Sequence, residues 1–289
     1  MTSVYADLHV HSSASDGVLS PVDLVKASKN AGLSVVGITD HDTVKGVAEA
    51  LAAGAEQGIQ VVPGIELSCA WPDFDIPLHV VGLFMDHTSK TLVELLETQR
   101  RSRYSRALKI LELLENLGIE VTPLRNSFLA DPEKLLGRPH IARYLVEIGA
   151  VSEFQEAFGK YLKRGAPAHV PKDHLVPETG IKAIHEAGGL AIIAHPGLTV
   201  EWEKLWSRIS GLPWDGIEVY YSEHSPDQVE YFLNLARSRQ LLVSGGSDYH
   251  GEYGKHASRL GLFGLERQSF ELLEAAADLD GEPVKAVSA

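Results

Sequence analysis

The chain has 289 residues, with 26 Lys+Arg against 39 Asp+Glu and a formal net charge of −13, enough for one large domain or two modest ones. A 44% hydrophobic, 22% charged composition excludes global disorder, and a single cysteine, Cys69, excludes an intrachain disulfide and a cysteine-rich zinc motif. The acidic balance argues against a general nucleic-acid coat, which needs Lys and Arg to neutralise phosphates.

Met1–Leu8 carries no basic flank leading into an apolar run, so no signal peptide is expected. No run approaches the roughly 18 apolar residues of a membrane span. The expectation is a soluble cytoplasmic protein with no membrane contact and no obligatory protein partner.

The first part of the chain alternates strand and helix signals. Val4–Val10 reads as a strand. Ser20-Pro21 is an N-cap followed by proline at the first helical position, and predicts a helix to about Asn30. Ser34–Thr39 is an apolar, β-branched run that suits a buried strand. Val44 to about Gln57 predicts a helix stopped by Gly58. Ile59–Val62 and Ile65–Ser68 predict strand interrupted by Pro63-Gly64, and His79–Met85 another strand.

The rhythm then changes. Thr91 to about Leu117 reads as one long helix, followed by a proline-containing loop and two short helices over Pro139–Ile148 and Ser152–Leu162. Strand–helix alternation resumes with helix Glu178–Ala187, strand Leu190–Ala194, strand Gly216–Tyr220, helix Pro226–Ser238, strand Leu241–Gly245 and a last helix over Ser269–Ala277. About seven strands in βα units predict a closed or nearly closed barrel of parallel strands, with its active site at the C-terminal strand ends. Residues 1–90 and 185–289 would form the barrel, and residues 91–184 an inserted, mostly helical subdomain.

The 13 histidines matter for where they fall. His9 and His11 lie two apart on the first strand, and Asp16 follows in the next loop. His41 comes just after the second strand, Glu66 in the third, His79 in the fourth and His195 after the fifth. Asp248 and His250 follow the seventh. Any one of these could be a satisfied core histidine or a loop cap. As a set they would converge on one rim, a costly arrangement unless cations neutralise it. Imidazole and carboxylate donors suit manganese, iron or zinc. Nine donors suit two or three ions, which can generate hydroxide and polarise a phosphoryl oxygen. That chemistry needs no protein nucleophile, and the sequence offers none in a recognisable context.

The motifs DLHVHSSASDG, GITDHD, GIELS, HVVGL, AHPG and SDYHG, in this order, resemble those of the polymerase-and-histidinol-phosphatase (PHP) superfamily. The resemblance implies a distorted (β/α)7 barrel of the α/β class holding three divalent metals. His9, His11, Glu66 and Asp248 would hold one ion, bridging Glu66 with His79 and His195 a second, and Asp16, His41 and His250 a third. The expected cofactor is two to three divalent ions, manganese first with iron or zinc as alternatives, and the expected reaction is attack of a metal-bridging hydroxide on phosphorus. Glu66, Asp248 and His195 would then be catalytic as well as ligating.

Charge singles out the insert. Arg100–Lys172 carries 13 basic and 8 acidic residues, about +5, and the remainder of the chain about −18. The segments Gly137–Arg143 and Tyr161–Gly165 resemble one PHP branch, the 3′,5′-nucleotide bisphosphate phosphatases and the 5′→3′ exoribonuclease known as ribonuclease AM. Arg138, His140, Arg143, Lys163 and Arg164 are therefore candidates for gripping a second phosphate. The Arg100-Arg101-Arg103-Arg106 run reads better as a surface stripe. The resemblance implies a nucleotide or short 5′-phosphorylated RNA as substrate. A small phosphomonoester such as histidinol phosphate, or a non-catalytic metal-binding module, are the alternatives.

His224, after the GIEVYYSE strand, is a candidate for protonating a leaving group or contacting substrate. Asp7, Asp40 and Asp42 are candidates for orienting imidazoles. His87, His169, His174, His185 and His256 have no strand-end context, and Cys69 is expected to be buried and inert.

Overall fold

The computed structural model describes residues 4–130, 136–171, 175–251 and 259–278; His174 and His256 lie outside them. Two compact units emerge, one built from residues 1–95 and 174–289 and the other from residues 96–173.

The first unit is a seven-stranded mixed sheet in the order β1 (Ala6–Val10), β2 (Val35–Ile38), β3 (Gln60–Trp71), β4 (Phe74–Leu83), β5 (Leu190–Ile193), β6 (Gly216–Tyr221), β7 (Leu242–Gly246). The sheet nearly closes. Val10 bridges Tyr249, His11 N–H donates to the Tyr249 carbonyl at 2.9 Å, and Asp248 N–H to the His9 carbonyl at 2.8 Å. Five helices cover this unit: α1 (Pro21–Asn30), α2 (Val47–Gln57), α7 (Pro177–Glu186), α9 (Pro226–Arg239) and α10 (Arg267–Ala277), with a short α8 (Trp202–Ile209). The Ser20 cap is present, its side chain accepting from Asp23 N–H. Val10, Val36 and Ile38 pack against Leu24 and Val25 of α1 and Ala50 and Ala53 of α2. Leu8, Val35, Leu83 and Ile192 pack with Phe270 and Leu273 of α10.

One expectation needs correcting. β4 runs antiparallel to both β3 and β5, so the strands are not all parallel. Only Pro72 and Asp73 separate β3 from β4, too few residues for the crossover that parallel pairing requires. β3 is also one continuous strand, and Pro63-Gly64 marks its change of partner. Residues 60–63 pair with β2, and the ladder to β4 starts at Gly64. Pro63 thus falls where one ladder ends and the next has yet to begin, and its missing N–H is tolerated. A side chain at Gly64 would lie 2.9 Å from the carbonyl oxygens of both Ile38 and Gly82, so the two partners can close in only on a glycine.

The second unit is helical. α3 (Lys90–Asn116) carries the chain into it, followed by α4 (Thr122–Ala130), α5 (Arg138–Glu147), α6 (Phe154–Ala157) and a wider π-type turn over Phe158–Leu162. Its core joins Ile110, Leu111 and Leu114 of α3 with Phe128 of α4 and Ile141 and Leu145 of α5. α4 lies where the sequence predicts a loop, and α8 in a stretch to which it assigns no element. Pro123 is tolerated because it falls in the first turn of α4, where its N–H would have no helical partner. α8 is a short helix held by burial of Leu205 and Ile209.

The seam between β1 and β7 is a sharp packing constraint. A Cβ on Gly246 would lie 2.6 Å from His9 N and 2.9 Å from His9 Cα. These are backbone atoms, so the strands themselves must separate. Gly246→Ala is expected to cost about 1–3 kcal/mol through overpacking, read by chemical denaturation of metal-free protein. A loss under about 0.5 kcal/mol would show that the seam yields freely.

Candidate metal centre

Glu66 lies at the centre of the strand-end rim and is 1% exposed. Its Oε2 is 3.2 Å from His9 Nε2, 3.3 Å from His11 Nε2 and 3.1 Å from His41 Nδ1. Its Oε1 is 2.7 Å from His79 Nδ1 and 2.9 Å from His195 Nε2. The β3–β4 hairpin creates part of this set, since Ser68 pairs with His79 and Glu66 with Val81. His79 therefore stands diagonal to Glu66 on the same face.

The remaining candidates join from the other side. Asp248 Oδ1 is 3.0 Å from His11 Nε2 and 3.6 Å from His9 Nε2, and its Oδ2 accepts from the Tyr221 hydroxyl at 2.8 Å. Asp16 reaches His250 Nε2 at 3.4 Å and His41 Nε2 at 3.9 Å. All nine sequence-predicted ligands thus sit on one rim. Three overlapping groups place their donor atoms within 4.8 Å of one another: His9, His11, Glu66 and Asp248; His11, Asp16, His41 and His250; and His41, Glu66 and His79. His195 Nε2 is also 3.3 Å from His79 Nδ1.

The donor set fits divalent ions. His9 Nε2, both ring nitrogens of His11, His41 Nδ1 and Glu66 Oε2 are buried without a well-formed hydrogen bond among the described residues. Such atoms are costly unless something else satisfies them. Without metal the cluster must share protons. Burial opposes charge on His9, yet Glu218, Glu66 and Asp248 raise its pKa well above the ordinary value. Burial likewise opposes charge on His11, and hydrogen bonds to Asp248 and Glu66 push it up to about 9. His41 goes the other way, down to about 3, through burial and the neighbouring His11 and His79 despite Glu66. Burial would raise Glu66 and Asp248, but the surrounding imidazoles hold both well below the usual carboxylate range.

Two candidate ligands sit on backbone in the left-handed region, His195 at φ 27° and Asp248 at φ 54°. Strain of this kind costs about 1–3 kcal/mol and persists only where surroundings enforce it. For His195 the enforcement comes from Glu218, a buried residue of β6. Its Oε2 accepts from His195 N–H at 2.7 Å, and its Oε1 lies 3.0 Å from His9 Nδ1. A carboxylate oxygen can only accept, so His9 Nδ1 carries a proton and Nε2 turns toward Glu66. Sequence spacing points to neither Glu218 nor Tyr221. The available signal for Glu218 is a carboxylate inside the apolar strand Gly216–Tyr221.

Three other aspartates brace loops through serine partners. Asp7 accepts from Ser247 N–H at 2.9 Å, with burial pushing it up to about 6. Asp40 accepts from Ser12 N–H and from the Ser12 and Ser15 hydroxyls. Asp42 accepts from Ser68 N–H and its hydroxyl. Glu218 is the carboxylate seen to hold the His9 imidazole through Nδ1. His224 is engaged by backbone at both ring nitrogens. Nδ1 donates to the Val219 carbonyl at 2.8 Å, and Nε2 accepts from Gly197 N–H at 3.0 Å. Burial lowers its pKa. That gives it a positioning place behind the Pro196–Leu198 turn and leaves no proton for a leaving group.

The second unit gathers the basic candidates. Arg138 lies 5.9 Å from the centre of the Phe158 ring, with Nη1 3.5 Å from the Leu162 carbonyl. Arg106 Nε donates to the Val170 carbonyl at 2.9 Å. His169 has its pKa lowered by burial and by Arg138, Arg106 and Arg164 around it. Arg106 and His169 therefore belong to this cluster, which sequence spacing does not reveal. Arg143, Lys163 and Arg164 are exposed. His140 Nδ1 accepts from Gly137 N–H at 3.2 Å and so caps α5.

A nearly closed α/β barrel with imidazoles and carboxylates crowded on its strand-end rim is the architecture of a metal-dependent hydrolase. The chain belongs to the PHP domain family, whose model matches residues 7–163. It is 41% identical over 254 residues to a 5′-3′ exoribonuclease of Haemophilus influenzae, covering 86% of this chain and 91% of that one. It is 35% identical over 255 residues to a 3′,5′-nucleoside bisphosphate phosphatase of Chromobacterium violaceum, covering 86% and 89%. An inferred metal-dependent phosphoesterase of Bifidobacterium adolescentis superposes with a TM-score of 0.76 at 28% identity, over 95% of this chain and 97% of that one. The chain is accordingly a metal-dependent phosphoesterase.

Two outcomes follow. Glu218→Gln supplies one acceptor where two donors converge, and should weaken metal binding about 10–100-fold in a chelator-competition titration. A change under about threefold would remove Glu218 from the support of the site. The second concerns pH. A histidine whose folded pKa is raised stabilises the fold fully below its unfolded pKa of about 6.5. For His11 that contribution is lost as pH rises through about 9. Metal-free protein should therefore lose stability between about pH 6.5 and 9, while metal affinity rises over the same window as protons leave the ligands. Parallel rather than opposed trends would contradict the charge assignment.

Proposed function

We propose that this enzyme removes the 3′-phosphate from nucleoside 3′,5′-bisphosphates and degrades short 5′-phosphorylated RNA from its 5′ end. The observation that carries this reading is the set of three overlapping donor groups sharing Glu66, His11 and His41, in a chain so similar to enzymes named for these two activities. His9, His11, Glu66 and Asp248 would hold one divalent ion, Glu66, His79 and His195 a second, and Asp16, His41 and His250 a third. Mixed imidazole and carboxylate donors accept manganese, iron or zinc, and manganese is the ion proposed here. Bound ions would supply Lewis-acid charge for the phosphoryl oxygens and lower the pKa of water.

This chain's residues do the rest. Glu66, with Asp248 and His195, places negative charge and lone pairs where cations must sit. Glu218 and Tyr221 fix the direction of His9 and Asp248. No serine or cysteine near the rim is needed as a nucleophile, so water is the attacking group. On the helical unit, Arg138 is the centre of the phosphate grip, with Arg143, Lys163, Arg164 and His140 around the same segments. Guanidinium forks suit a dianionic phosphate, and Arg138 has lost part of its freedom to Phe158 and the Leu162 carbonyl. A cytoplasmic setting suits such substrates.

Steady-state assays with added manganese on adenosine 3′,5′-bisphosphate and on 5′-phosphorylated oligoribonucleotides test the reading; no release of phosphate or mononucleotide would end it. Arg138→Ala should raise KM about 10–100-fold for the bisphosphate, the value of one lost charge-assisted contact, and much less for a simple phosphomonoester. An equal effect on both would remove Arg138 from the second-phosphate role.

A further inference from the structure

A cavity of about 380 Å³ opens directly beside the candidate metal centre, within the barrel unit, with His79 and His195 in its wall. Its other walls come from β4, the end of β5, the turn after it and α8, and include Ile76, Leu198, Thr199, Val200 and Trp202. Its size falls in the range of small-molecule sites. Among the described residues no lysine or arginine lines it, and the one acidic residue there, Glu201, is tied to Lys204 at 3.1 Å. A phosphate is therefore a poor occupant, and an uncharged ring is a good one.

Two features suit an aromatic ring in particular. Trp202 is held before any ligand arrives. Its ring stacks on Trp206 at 5.6 Å, meets Phe232 edge-on at 5.2 Å, and its Nε1 donates to the Tyr231 hydroxyl at 3.3 Å. A fixed aromatic surface stacks on a base at little entropic cost. Of the lining residues, Val200 is fully exposed and Leu198 is 45% exposed. Both are apolar groups that a planar ligand would cover.

We propose that this cavity is the nucleobase site of the enzyme, with Trp202 as its stacking platform and Leu198 as part of its cover. The proposal rests on the phosphoesterase reading given above and adds to it the source of base preference. Continuity decides the occupant. The cavity shares His79 and His195 with the donor set that would face the scissile phosphate. The group entering it must therefore be attached to that phosphate through a short spacer, as a base is through its ribose. Trp202 and Leu198 act on binding and touch none of the reacting atoms.

The test compares 2′-deoxyadenosine 3′,5′-bisphosphate with the same bisphosphate lacking a base. Wild-type enzyme should prefer the base-bearing substrate in kcat/KM by about five- to hundredfold, the range of one stacked base. Trp202→Ala should remove most of that preference, Trp202→Phe should keep part of it, and Leu198→Ala, an exposed position, should reduce it without loss of fold. Where the bisphosphates are hydrolysed, equal kcat/KM for the two by wild type overturns the proposal, and so does a preference that moves less than twofold in both Trp202→Ala and Leu198→Ala. Adenosine alone provides the independent arm. Saturable quenching of tryptophan fluorescence in wild type that Leu198→Ala weakens supports the site even if neither bisphosphate is hydrolysed, in which case the phosphoesterase substrate reading alone fails. Absence of saturable quenching overturns the site whatever the turnover.

Discussion

A buried carboxylate shared by five imidazoles is the constraint around which the barrel unit is arranged. Glu66 is all but inaccessible to solvent, and burying its charge would be untenable without compensation. His9, His11, His41, His79 and His195 arrive from β1, the end of β2, β4 and the end of β5, so most of the sheet contributes to one charge balance. In the absence of metal that balance is kept by protons on His9 and His11. The same imidazoles must give up those protons to act as ligands. Stability without metal and affinity for metal therefore draw on the same groups in opposite directions, because protons and metal ions compete for the same lone pairs.

The fold departs from a regular parallel barrel where this constraint is tightest. A two-residue connection forces β4 to return antiparallel beside β3. That hairpin brings His79 diagonal to Glu66 without any intervening helix. A crossover would have placed the next strand's donor only after a long excursion. The helical excursion is deferred instead to the connection between β4 and β5, where the second unit is inserted.

Much of this is legible in the sequence because the ligands occupy places the pattern marks. Apolar runs end near a histidine or an acid, and strand ends in a barrel converge. What is not legible depends on contacts across the sheet. Glu218 looks like one acid in a strand until His9 and His195 are seen on its two oxygens. His224 looks like a free imidazole at a strand end until both nitrogens prove to be bonded to backbone. Asp7, Asp40 and Asp42 look like imidazole partners from their neighbours in the motifs, yet they accept from Ser247, Ser12, Ser15 and Ser68. The antiparallel β4 is hidden because the predicted strands stop at Ser68 and resume at His79, whereas β3 runs on to Trp71 and β4 starts at Phe74, so the two-residue connection lies inside an unassigned stretch. Helix α8 is hidden because only Leu205 and Ile209 of its eight residues are buried, a pattern too short to stand out by periodicity.

The turn after β5 joins the metal rim to the cavity. His195 sits there at positive φ, pinned by Glu218 from one side, while Gly197 two residues on is pinned by His224 and Gln228 from the other. A side chain on Gly197 would lie 2.8 Å from both Gln228 Nε2 and His224 Nε2, so the turn is built for contact with α9 and the end of β6. The same turn then runs through Leu198 and Val200 into Trp202, forming one wall of the cavity. A single short segment therefore carries a candidate ligand at one end and an aromatic platform at the other, and its rigidity sets the spacing between them. A hydrolase that must hold a phosphorus atom at one point and a ring a sugar's length away gains more from fixing that spacing than from any added contact, because geometry settled in advance is not charged against binding.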